Sequence, residues 1–107
     1  MTGRRVKVRG GLYAPRVPAG AVYIGRRGPA LAGSPYANPY PAREHGRAEA
    51  LRLYTAWLHR QPDLIARART ELAGKDLACW CDEQLPLGWT GPWCHGDVLL
   101  KVLASPA

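Results

Sequence analysis

The sequence predicts a small α/β domain, in two or three layers, with a short mixed sheet and three helices. Three observations predict it. Three short runs have strand character: Val6-Lys7-Val8, Ala21 to Gly25 and Leu77 to Cys81. Two stretches between the second and third runs space their apolar residues by three and four, as one helix face requires. The chain has 107 residues, of which 47% are hydrophobic and 21% charged, which suits one domain (1–107) around one modest core.

The elements follow in order. Strand one is expected over 5–9, with its basic residues on an outer face and Gly10-Gly11 as its break. Tyr13 to Gly20 carries Pro15 and Pro18 and reads as loop. Strand two, over 21–25, ends in Arg26-Arg27-Gly28-Pro29. Ala30 to Arg43 holds Pro35, Pro39 and Pro41, which exclude helix and central strand. Its tyrosines, Tyr36 and Tyr40, argue for an ordered loop, because disordered segments are poor in aromatics. A helix is expected over 44–60, with Ala50, Leu53, Tyr54, Trp57 and Leu58 on its buried stripe. Pro62 starts the next helix, over 62–73, and Gly74 stops it. Strand three, over 76–81, should turn Leu77, Cys79 and Cys81 to one face and Ala78 and Trp80 to the other. A loop with Trp89 and Trp93 leads to a last helix over 97–104, capped by Asp97.

All three cysteines lie at the end of this third strand and the start of the last helix. α/β domains place chemistry at such junctions. An odd cysteine count argues against a closed disulfide framework and for thiols, a metal or a reactive cysteine. Cys79, Cys81, Cys94 and His95 form a possible set of soft ligands, for zinc or an iron–sulfur cluster. The C-x-C spacing and the adjacent Cys94-His95 pair depart from the common C-x2-C structural pattern. Alternatively Cys94, before a helix, is a candidate nucleophile with His95 or Asp97 relaying a proton. The plainest alternative is that the cysteines only pack.

Charge supplies the second pole. The chain carries 15 Lys and Arg against 8 Asp and Glu, for a net +7. No acid precedes Glu44, so the whole positive excess lies in the first two fifths. A one-sided basic segment favours a polyanionic partner. Arg26 and Arg27, between glycines, suit a phosphate; Asn38 offers an amide to a base or sugar; Gly96 opens a helix whose free N–H groups suit an anion. No run is long enough to span a bilayer and no apolar signal segment follows Met1, so no membrane partner and a cytoplasmic location are expected.

Five runs together resemble a known family. They are Val22 to Arg27; Ser34 to Tyr40, with its Asn-Pro-aromatic step; Tyr54 to Leu58; Gly74 to Cys81; and Cys94-His95-Gly96-Asp97-Val98-Leu99. The chain is similar in these to the bacterial and phage domain-of-unknown-function family 4326, with Gln84 to Trp93 as an insertion. The resemblance implies a small α/β domain and no established activity.

The carboxyl ends of strands two and three should therefore meet, bringing Arg26, Arg27 and Asn38 towards Cys79, Cys81, Cys94, His95 and Asp97. The expected function is nucleotide or nucleic-acid association, with an Arg-lined phosphate site beside the Cys/His cluster. The alternatives are an enzyme on a nucleoside or nucleotide, a glycosidic-bond hydrolase or transferase using Asp97 or Cys94, and a non-catalytic interaction module.

Overall fold

The computed structural model describes residues 3–81, 85 and 87–104. Its elements run β1 (Arg5–Lys7), β2 (Arg9–Gly11), β3 (Ala14–Arg16), β4 (Ala21–Tyr23), α1 (Ala42–His45), α2 (Arg47–His59), α3 (Pro62–Glu71), β5 (Asp76–Cys79) and α4 (His95–Ala104). The mixture of parallel and antiparallel strands with helices makes this an α/β domain.

β5 is the centre of the fold. It pairs in parallel with β1 on one side (Val6 opposite Ala78) and with β4 on the other (Val22 opposite Leu77). β2 and β3 form a separate antiparallel hairpin. The parallel strands need crossovers, and the path from β4 to β5 supplies one through α2 and α3.

Alternation along β5 sorts the core into two. Leu77 and Cys79 face the larger cluster, with Ile24, Tyr36, Leu51, Tyr54, Leu58, Leu72, Cys94 and Leu99, and Cys81 packs against it. Ala78 faces a smaller cluster with Val6 and Val8, and Trp80 and Tyr23 pack against that one. The expected two-sided strand forms with both sides covered, as a parallel sheet requires, but it ends at Cys79 rather than at 81, and Trp80 and Cys81 lie in a bend beyond it.

That coverage corrects the reading of strand one. Val6 and Val8 fill the smaller cluster, so Arg5 lies on the opposite side of the strand. That side is not solvent: α4 packs there, and Arg5 is only 8% exposed.

Other boundaries shift for local reasons. The segment expected as a break and a loop forms the β2–β3 hairpin; Gly10 takes φ +78°, a conformation that glycine adopts without strain. Its strands are almost wholly exposed, so backbone pairing rather than burial defines them. The single helix expected over 44–60 is two, because Gly46, at φ +77°, ends α1 and begins α2. On α2 the buried residues are Ala50, Leu51, Tyr54 and Leu58; Leu51 takes the place expected for Leu53.

The proline-rich loop is anchored rather than loose. Tyr36 is buried, its hydroxyl donates to Glu71 at 2.7 Å, and its carbonyl accepts from the Tyr54 hydroxyl at 2.7 Å. Parts of the expected 84–93 insertion, Gln84 and Pro86, lie outside the described residues. Within the remainder, Trp89 and Trp93 meet edge to face, with centroids 4.9 Å apart.

Candidate functional site

The site begins where β5 ends. Cys79 is the last residue of β5, Cys81 follows on the same face, and Cys94 stands immediately before α4. These separate segments bring three sulfurs within 4.8 Å of one another. Cys79 and Cys94 are buried with Sγ atoms 3.2 Å apart; Cys81 is half-buried.

α4 is fixed over this cluster by Asp97. Its Oδ2 accepts from the backbone N–H groups of Trp93 and Cys94, at 2.9 and 3.1 Å, which satisfies donors that a helix start leaves unpaired. Its Oδ1 accepts from Arg5 Nε at 3.0 Å. α4 therefore starts two residues earlier than expected, and Asp97 caps it from inside the first turn. Arg5 Nη1 continues to the Cys81 carbonyl at 3.2 Å and approaches Cys79 Sγ at 3.9 Å. Burial opposes the Arg5 charge, but the hydrogen bond and charge of Asp97 outweigh it and hold the guanidinium above its ordinary value.

Gly96 explains why this helix start fits so closely. A Cβ there would lie 3.0 Å from Ile24 Cδ1 and 3.1 Å from Arg5 Cδ. Its N–H points at Cys94 Sγ, 3.4 Å away. Gly96 is thus buried inside the junction and does not line the cleft above the sulfurs.

His95 has a defined tautomer. Its Nε2 lies 2.8 Å from the Ile24 carbonyl, an acceptor, so Nε2 carries the hydrogen. Nδ1 is left with a lone pair, 3.6 Å from Cys94 Sγ. The ring meets Tyr54 edge to face, and burial pushes its pKa down, so it is neutral.

The three thiols share their protons unequally. Hydrogen bonds from Cys79 and then Cys94, helped by Arg47, push the Cys81 thiol far down. The same sharing pushes Cys79 up through Cys81, and Cys94 up through Cys79 and then Cys81. Cys81 is therefore the most acidic thiol of the set. Cys94 is 1% exposed and its thiol is pushed up, which suits a nucleophile poorly.

A cleft of about 440 Å³ opens above these sulfurs. Cys79, Cys81, Cys94 and His95 form its floor; Arg26, Arg27 and Arg47 stand on its walls with Tyr23, Tyr40 and Trp80. Asn38 also lines it, but both ends of its amide have backbone partners: Nδ2 donates to Ala50 O at 3.2 Å and Oδ1 accepts from Tyr40 N–H at 2.9 Å. Arg26 Nε donates in turn to the Asn38 carbonyl at 2.9 Å. Asn38 braces the arginine turn.

A family comparison matches residues 12–105 to Domain of unknown function DUF4326. The chain belongs to this family. An uncharacterized protein of Acanthamoeba polyphaga mimivirus is 35% identical over 86 residues, covering 76% of this chain. The chain spans 65% of that relative's length. No solved structure matches the chain.

The DUF4326 match runs from the hairpin tip through α4, so it takes in both the arginine turn and the sulfur floor. Of the residues singled out from sequence in this DUF4326 chain, Arg26, Arg27, Asn38, Cys79, Cys81, Cys94 and His95 share the cleft; Asp97 and Gly96 lie behind it. Sequence reasoning missed Arg5 and Arg47. The signal for Arg5 was its place in a parallel strand, where both faces are covered. Arg47 gave none: it falls off the apolar stripe of its helix, yet its guanidinium lies 3.7 Å over the Trp93 ring and donates to the Trp93 carbonyl.

Proposed function

We propose that this cleft binds a phosphate-bearing ligand of the nucleotide or nucleic-acid class, which makes the protein a nucleotide- or nucleic-acid-associated domain. One observation carries the reading: among the described residues, the cleft is lined by three arginines and no carboxylate. Guanidinium forks suit phosphate oxygens, and the Tyr23, Tyr40 and Trp80 rings offer faces on which a base stacks. The exposed hairpin extends the surface: Leu12 at its tip is part of the cleft lining, Tyr13 is 84% exposed, and Arg9 pairs across from Arg16. Arg26 and Arg27 would hold the phosphate, with the Cys/His floor fixing the base of the cleft.

No helix among the described residues is long and apolar enough to cross a membrane. A cytoplasmic location goes with the proposal, because a reducing compartment keeps three neighbouring thiols free. So does the bacterial and phage setting that the family resemblance implies.

Fluorescently labelled single-stranded oligonucleotide and a labelled nucleotide, each titrated at two salt concentrations, test the proposal. Binding that weakens as salt rises is expected. Absence of salt-dependent binding to either probe would refute it.

A further inference from the structure

We infer that Cys79, Cys81, Cys94 and His95 form a binding site for one thiophilic divalent cation, of which zinc is the best fit. The inference stands apart from the phosphate reading, since neither the ligand set nor its test requires a nucleotide.

The three sulfur ligands already converge, and His95 Nδ1 lies 3.6 Å from one of them, Cys94 Sγ. Zinc–sulfur bonds of about 2.3 Å in a tetrahedron place sulfurs about 3.8 Å apart. The three sulfurs here lie within 4.8 Å of one another, with one pair at 3.2 Å, so modest side-chain rotations reach that spacing. The C-x-C step works because Cys79 ends β5 and Cys81, in the bend that follows, packs against the same cluster, which leaves the two sulfurs within 4.8 Å. The adjacent Cys94-His95 step works because the helix begins between them: Cys94 lies just outside α4 and His95 is its first residue.

His95 is the independent observation. A histidine that ligates a metal through one nitrogen donates its other N–H to a carbonyl or carboxylate, which fixes tautomer and ring. His95 does this: Nε2–H is held by the Ile24 carbonyl, while the Nδ1 lone pair lies at the edge of the sulfur cluster. Thiols that merely fill space do not require a neighbouring lone pair to be oriented in this way.

The surroundings match the charge of such a site. Three thiolates, a neutral imidazole and a divalent cation sum to one negative charge. Arg5 approaches Cys79 Sγ, and the Gly96 N–H points at Cys94 Sγ. Arg47 stands on the wall of the same cleft. Thiolate and imidazole donors favour zinc over magnesium or calcium, which prefer oxygen.

The test uses the full chain, reduced and freed of metal with a chelator, and titrated with cobalt(II) and then zinc. One equivalent of cobalt should bind with thiolate charge-transfer bands and tetrahedral d–d bands, and zinc should displace it. Zinc should also slow the reaction of all three thiols with a disulfide reagent. Cys81→Ser, at a half-buried position, should weaken binding by at least about 100-fold, and His95→Ala by at least about 10-fold, scaled from the cost of disturbing metal-supporting residues. Circular dichroism of each variant confirms that it is folded, and the wild-type titration stands without them. No stoichiometric cobalt uptake, octahedral cobalt bands, or thiols equally reactive with and without zinc would overturn the inference. So would a folded variant of either residue that binds as tightly as wild type. Oligonucleotide binding by the chelated protein reports on the phosphate reading separately.

Discussion

The sulfur floor and the arginine wall meet in one cleft but are built by opposite means. The floor comes from β5 and α4, where Leu77, Cys79, Cys94 and Leu99 are buried and Asp97 locks the helix start. The wall comes from a turn after β4, where Arg26 and Arg27 are exposed and the Asn38 carbonyl braces Arg26. The floor is therefore part of the folding unit, and the wall is a feature laid upon it. Substitutions in the floor should act on stability first, and those in the wall on ligand first.

Leu77→Ala is the strongest way to break the floor. Leu77 is fully buried on the sulfur-bearing face of β5, so removing its side chain should cost about 2–5 kcal/mol. Denaturant unfolding measures it; a cost below about 1 kcal/mol would mean that this face is not the core.

Asp97→Ala comes next. It removes the carboxylate that accepts from two backbone N–H groups at the start of α4 and from buried Arg5. A loss of about 2 kcal/mol is expected from the cap and the unpaired guanidinium together. The same unfolding experiment, followed by helical circular dichroism, checks it.

A smaller effect lies away from the cleft. Arg67 and then the Tyr36 hydroxyl hold the Glu71 carboxyl below the usual carboxylate range. A lowered folded value contributes stability above the unfolded pKa, and that contribution is lost as pH falls through the folded value. Glu71→Gln should therefore narrow the difference in melting temperature between pH 7 and pH 3. A difference unchanged from wild type would mean that this cluster does not secure the proline-rich loop.

The floor was far more legible in the sequence than its fastenings. Period-two alternation placed Cys79 and Cys81 on one face, and the strand–loop–helix order placed Cys94 at the start of the last helix. Helical spacing found α2, but not the break at Gly46 that separates it from α1. The hairpin was hidden because glycine and proline dominate it and no face of it is buried, so its pairing left no apolar pattern. Arg5 and Arg47 were hidden because a basic residue looks alike in sequence whether it meets water or a buried partner. The roles of Asp97 and Gly96 at the helix start depend on their packing against Arg5, some ninety residues away, which local pattern does not encode.

The most direct test of the contrast is the double variant Arg26→Ala/Arg27→Ala, compared with wild type in melting temperature and in oligonucleotide affinity across salt. Both residues are exposed, so stability should change by no more than about 0.5 kcal/mol. Affinity should fall, and the slope of log affinity against log salt should shrink by about one for each phosphate that the variant no longer neutralises. A variant with a lowered melting temperature and an unchanged salt slope would contradict the account, because the wall would then support the fold rather than hold a phosphate.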